Sequence, residues 1–171
     1  ADEQRAIIGA IWHDIDAAAV GSAYIFEGAI EQILLTASRA DYEADGIPGD
    51  RFGITLTTYG DHLLVGAPGR GNGAVYLYTH DATSPAHYQP LTRWTAFDTD
   101  DAAFGASVAL GPSMALVGAP LSRGHGMAYL YIEQDNLWRP TVQFQPMNGQ
   151  PGDRFGQVVA LDNNRIAIGR L

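Results

Sequence analysis

Residues Arg51–Pro68 read RFGITLTTYGDHLLVGAP, and the chain writes this stretch three times. Its relatives are AFGASVALGPSMALVGAP at Ala103–Pro120 and RFGQVVALDNNRIAIGRL at Arg154–Leu171. In each copy the Phe of a Phe-Gly pair precedes a glycine by fourteen residues: 52 to 66, 104 to 118 and 155 to 169. Between these points lie alternating apolar residues, a polar turn and a second apolar run. The turns Tyr59-Gly60-Asp61, Gly111-Pro112-Ser113 and Asp162-Asn163-Asn164 have hairpin chemistry, with residues that tolerate tight or left-handed backbone. The pattern predicts one antiparallel hairpin of fixed length, used three times.

Working outward, a third strand follows each hairpin: GAVYLY at 73–78 and GMAYLY at 126–131. Near the N-terminus GSAYIF (21–26) matches them, and AIIGAI (6–11) matches the second strand. A fourth, less regular strand is expected at 30–37, 88–96 and 137–145. Ala29–Ala40 comes nearest to a helical pattern, but its place in the repeat makes it a strand. Four-stranded units recurring every 52 and then 51 residues predict an all-β chain, a segment of a β-propeller. The units run 1–51 (partial), 52–103, 104–154 and 155–171 (partial), within a single domain. Each Phe is expected to fill the wedge between neighbouring blades. The second-strand glycines are expected to relieve crowding near a central axis. Pro68 and Pro120 are expected to end their ladders, where a missing N–H does no harm.

The combination FG…VGAP…GAVYLY resembles the FG-GAP repeat of integrin α-subunit propellers and of many bacterial surface proteins. The likeness is to the bacterial type, with short hairpins, a Trp in the outer strand (Trp94 or Trp138) and GDRFG opening the next unit. Ile11 departs from it in place of the first Pro, as does Gly169-Arg170 in place of the last Gly-Ala. The resemblance implies extracellular or cell-surface deployment and a non-enzymatic part in protein binding, adhesion or structural assembly. Integrin-type blades often hold calcium in the first hairpin. These hairpins are too short and offer at most two carboxylates, so no calcium is expected there.

Strand arithmetic leaves the propeller open. Three, four, four and two strands make thirteen, a little over three blades, where closed rings typically have four to eight. Two readings follow: the chain is a window of a longer protein, or two copies pair head to tail into one ring. The first is favoured because both ends fall inside repeats. A simple exchange joining the ends has one strand too many, because RAIIGA and RIAIGR are both second strands.

Composition narrows the partners. Ten basic residues, all Arg, face nineteen Asp and Glu for a net charge of −9. That balance argues against nucleic acid and anionic membrane surfaces. No apolar run approaches the roughly 20 residues that span a bilayer, so no membrane insertion is expected. Cysteine is absent, which removes disulfides and thiolate chemistry. No nucleophile elbow or recurring Ser, His and Asp geometry points to catalysis, and no cofactor is expected.

Several stretches carry polar side chains that could bind, each with a plainer explanation. Asp98–Asp101 (DTDD) reads as a solvated acidic turn, because it lacks the glycine and distal bidentate carboxylate of a calcium loop. His13–Asp16 (HDID) reads as a polar loop rather than a metal cluster. GRGNG at 69–73 has no following helix to hold a phosphate. The recurring tyrosines 24, 76, 78, 129 and 131 are expected to pack within blades rather than stack on sugars. Trp12 occupies a loop where its siblings place Pro and then Gly or Leu; packing against an adjacent blade is expected, with sugar stacking or insertion into a partner as the alternative. Ligands of propellers collect on the face of inter-blade and second-to-third-strand loops. That face nominates Trp12, His13, Asp14, Asp16, Arg70, Asn72, Asp98, Asp100, Arg123 and His125. The expected partner is a protein or a glycan, with a sugar-binding propeller or an appendage of a larger enzyme as alternatives. The Asp-Arg of GDRFG is expected to serve a turn or a blade contact, since the middle copy manages with Ala102-Ala103.

Overall fold

The computed structural model describes residues 5–12, 14–15, 18–27, 30–36, 49–69, 71–81, 83, 88–97 and 102–170. The first unit contains β1 (Arg5–Ala10), a two-residue hairpin of β2 (Asp14–Ile15) and β3 (Ala18–Ala19), then β4 (Ser22–Glu27) and β5 (Ile30–Thr36). The second contains β6 (Thr55–Tyr59), β7 (His62–Ala67), β8 (Ala74–His80) and β9 (Tyr88–Thr95). The third contains β10 (Ser107–Leu110), β11 (Met114–Ala119), β12 (Met127–Gln134) and β13 (Leu137–Phe144). The fourth contains β14 (Val158–Asp162) and β15 (Arg165–Gly169). Units two and three are four-stranded antiparallel sheets in simple meander order, and unit one is the three-stranded sheet β1-β4-β5. The repeat therefore folds as read, and Ile30–Thr36 is a strand. The small β2-β3 hairpin within the first loop is additional to the thirteen expected strands.

Turn chemistry sets the register. Tyr59 pairs with His62 and Asp162 with Arg165, leaving two-residue turns at Gly60-Asp61 and Asn163-Asn164. Gly60 and Asn163 both take the positive φ that such turns demand. β7 and β11 end at the residue before Pro68 and Pro120. Each outer strand slips register at the same place: Leu77 pairs with Thr92 but Tyr78 with Pro90, and Leu130 with Val142 but Tyr131 with Pro140. An extra residue at a bulge, beside a proline that cannot donate to the ladder, suits an edge strand. This bulge is the physical source of the irregularity seen in the fourth-strand sequences.

Period-two alternation divides each sheet between two neighbours. From β7, Leu63 and Val65 face unit one with Phe52, Tyr76 and Tyr78 and meet Ala23 and Ile25. Leu64 points the other way and, with Val75, Leu77 and Trp94, meets Phe104, Val117, Tyr129 and Tyr131 of unit three. Both faces are covered, so HLLVGA reads as a continuous apolar run rather than an alternation. Burial of each such side chain contributes about 1.5–3 kcal/mol relative to exposure. Phe52 and Phe104 are fully buried and meet the tyrosines edge-on, at ring separations of 5.3 Å to Tyr76 and 5.4 Å to Tyr129. They fill the wedge between sheets, as the repeat predicts.

Crowding at the second-strand glycines comes from the backbone of the next unit's Phe-Gly. A Cβ on Gly66 would overlap the Gly105 carbonyl oxygen, and one on Gly118 the Gly156 carbonyl oxygen. Backbone passes directly over backbone at each joint, and only glycine allows it.

Candidate functional site

Each Phe-Gly is fastened to the preceding unit by the same bonds. The amides of Phe52, Phe104 and Phe155 donate to the carbonyls of Val20, Asn72 and His125, each at 2.9 Å. Those bonds form single parallel bridges from Gly21, Gly73 and Gly126 to the phenylalanines. The amides of Gly53, Gly105 and Gly156 donate within their own units to Gly66, Gly118 and Gly169, each at 3.0 Å. A hydroxyl adds a further link between units: Thr55 Oγ1 donates to the Gly105 carbonyl at 2.7 Å, and Ser107 Oγ to that of Gly156 at 2.8 Å. These two hydroxyls escaped the sequence reading. Their signal was a small hydroxylic residue three places after Phe in two of three copies, with Val158 in the third.

The same fastening positions the loops. The second-to-third-strand loops lie against inter-blade loops through Gly69 N–H to the Asp50 carbonyl (2.9 Å), Leu121 N–H to that of Ala102 (3.2 Å) and Gly152 N–H to that of Gly124 (2.8 Å). Both loop types thus lie side by side in units two and three. Arg51, Ala103 and Arg154 occupy the same turn position with φ of 57°, 50° and 50°. In the last copy, Asp153 Oδ2 accepts from the Gln150 amide at 2.9 Å and from Arg170 Nη1 at 2.6 Å. The carboxylate closes its own turn, which accounts for Asp153 structurally. Its Arg only has to adopt left-handed backbone, and alanine can do so at Ala103.

Arg51 has a second role that spacing did not reveal. Its guanidinium carbon lies 5.9 Å from the centre of the Trp12 ring, across the joint between units one and two. Trp12 remains 66% exposed, so it does not pack into the blade joint. It presents an aromatic face to solvent beside a cation, a pairing that contributes about 0.5–1 kcal/mol at exposed sites.

Of the other nominated residues, Asn72 and His125 lend their carbonyls to the Phe-Gly amides. The His125 ring Nδ1 lies 2.9 Å from the Gly126 carbonyl oxygen, to which an Nδ1–H donates. Arg123 is exposed in a 3₁₀ turn, Ser122–Gly124, with φ of 51°. Asp14 lies in β2, where only its backbone is described. His13, Asp16, Arg70, Asp98 and Asp100 fall outside the described residues. Another joint is served by a histidine: the His62 imidazole meets Trp138 edge-on at 5.8 Å and lies 4.0 Å from Glu133, across units two and three. Tyr76, Tyr78, Tyr129 and Tyr131 are buried between sheets, where packing was expected. Burial drives the Tyr78 and Tyr131 hydroxyl pKa values well above their ordinary value, and neighbouring Tyr76 and Tyr129 add to the effect. Among the described residues, no three His, Asp or Glu side chains converge as a metal site.

In comparison with known families, residues 35–78 match the FG-GAP repeat. The match contains Phe52-Gly53, the β6-β7 hairpin, Gly66-Ala67-Pro68 and the first tyrosines of β8. No curated protein matches the chain.

Proposed function

We propose, from the FG-GAP repeat that residues 35–78 carry, that the chain is a non-catalytic, extracellular or cell-surface binding module that engages a protein partner through its loop face. The observation that supports this best is the exposed Trp12 ring beside Arg51. Trp and Arg are the residues over-represented where interfaces concentrate their energy. Here they stand on loops tied to stacked sheets, so little ordering would be lost on binding. A sugar-binding reading draws on the same ring, because an exposed indole next to a polar group also stacks on a pyranose.

One screen separates the two. The purified chain is applied to an array of extracellular matrix and cell-surface proteins and, in parallel, to a glycan array. A protein hit whose affinity falls about 30-fold in Trp12→Ala, corresponding to about 2 kcal/mol, supports the proposal. Glycan hits sensitive to the same substitution favour the sugar reading. Binding unchanged in Trp12→Ala and Arg51→Ala removes this face from consideration.

A further inference from the structure

The fastening points between units are built alike but from different residues. A residue ahead of a glycine lends its carbonyl to the next unit's Phe amide: Val20 before Gly21, Asn72 before Gly73 and His125 before Gly126. The glycine is obligatory. Gly73 has φ of 77°, and a Cβ on it would overlap the Phe104 carbonyl oxygen. The residue ahead of it is free to vary, and of these joints only the one between units two and three has asparagine there. Both of those units are complete four-stranded sheets.

An asparagine followed by glycine carries a reaction within the chain. The glycine nitrogen, with no side chain beside it to hinder approach, attacks the asparagine Cγ. The N–Cγ bond forms, the proton on the nitrogen goes to the departing amide, and ammonia leaves a succinimide ring. Water then opens the ring. Opening at Cγ gives aspartate; opening at the main-chain carbonyl gives isoaspartate. In total a water is consumed and an ammonia released, with nothing oxidised or reduced. The surroundings of Asn72 permit this. It is partly exposed and forms a turn with the exposed Gly71, where an added Cβ would meet nothing within 4 Å. The bond to Phe104 uses the main-chain oxygen of Asn72, whereas ring closure uses its side chain and the Gly73 nitrogen. The reaction therefore does not require the joint to open.

We infer that Asn72 is a deamidation site and that its isoaspartyl product unfastens unit three from unit two. In that product the main chain detours through Cβ and Cγ, longer by a single carbon between residues 72 and 73. The carbonyl that held the Phe104 amide becomes a free carboxylate. The joint has no slack for the added atom, because the Gly73 backbone already lies against that of Phe104. The aspartate product keeps the ordinary main chain and with it the bond. The other Asn-Gly pair of the chain, Asn148-Gly149, lends no carbonyl to a Phe-Gly amide.

The test holds the folded chain in warm, mildly alkaline buffer beside a urea-unfolded sample and then digests both with trypsin. Residues 71–93 form one peptide, in which Asn72 is the single asparagine. In the folded sample this peptide should gain the mass of O in place of NH and become a substrate for isoaspartyl-specific methylation. In the undigested aged chain the Phe104 amide should lose its protection against hydrogen exchange while Phe52 keeps its own. Asn72→Ser, which cannot form the ring, should age with Phe104 still protected. Freshly prepared Asn72→Asp, with its ordinary main chain, should also keep Phe104 protected. A folded chain that stays unconverted overturns the assignment, the urea sample showing that the chemistry was available. Aspartate as the sole product, or isoaspartate with Phe104 still protected, overturns the release. Loss of protection in fresh Asn72→Asp or in aged Asn72→Ser overturns it as well, since charge or another site would then be responsible.

Discussion

Gly118→Ala and Gly169→Ala put the same methyl at the same point of two copies of the repeat, with opposite surroundings. At Gly118 the Cβ would overlap the Gly156 carbonyl oxygen and approach its carbon to 3.0 Å. Neither glycine has positive φ, so backbone strain does not enter and the effect reports contact alone. Making room requires the joint to open, an overpacking cost of about 1–3 kcal/mol. It also disturbs the Ser107 hydroxyl bond to the same carbonyl, worth about 1 kcal/mol. The expected loss is about 2–4 kcal/mol from a total of about 5–15 for a domain of this kind. At Gly169 the nearest atoms are 3.6 and 3.7 Å away. There the substitution should be neutral, or stabilise by up to about 1 kcal/mol through the unfolded chain. Urea unfolding measures both, read as midpoint shifts at unchanged slope. Equal effects of the two substitutions would refute the assignment of these glycines to the joint with the following unit.

Phe104→Ala should cost about 3–5 kcal/mol as a core deletion, and Phe155→Ala clearly less, because its tyrosine cover is absent; the same urea titration compares them. Thr55→Val and Ser107→Ala should each cost about 1 kcal/mol, with additive effects because they serve different joints. Raised pKa values at Tyr78 and Tyr131 mean the folded state holds these protons more tightly than the unfolded state. Their contribution is complete below about pH 10, the ordinary tyrosine value, and is lost as pH rises above it. Alkaline titration followed by tyrosinate absorbance should therefore show these two rings ionising only with unfolding; free titration at about pH 10 in the folded chain would contradict their burial.

The hairpins, the four-stranded sheets and the buried tyrosines were legible because a repeat compares each position with its own counterpart. Phe52 and Phe104 were recognisable as wedges for that reason. The reason for Gly66 and Gly118 was not, because sequence shows that glycine recurs but not which backbone passes over it. The hydroxyls of Thr55 and Ser107 were hidden by their ordinary β-strand chemistry, and the bulges beside Pro90 and Pro140 appeared only as irregularity. The Trp12–Arg51 pairing was beyond reach, since it joins residues from two units whose separation in sequence has no fixed relation to their distance. Loop placement was not legible, because loop positions are set by inter-unit bonds rather than by their own residues. Asn72 and His125 proved to contribute carbonyls to the joints, a role that any side chain there could accompany.

The central claim is that Phe-Gly fastens each sheet to the one before it. Native-state amide hydrogen exchange at Phe52, Phe104 and Phe155 tests it most directly, because each amide donates across a joint. Protection at Phe52 and Phe104 should match that of mid-strand amides such as Val65 and Val117, opening only with global unfolding. Exchange of those two amides at the rate of the exposed turns, while mid-strand amides stay protected, would show sheets that fold individually and are not fastened there.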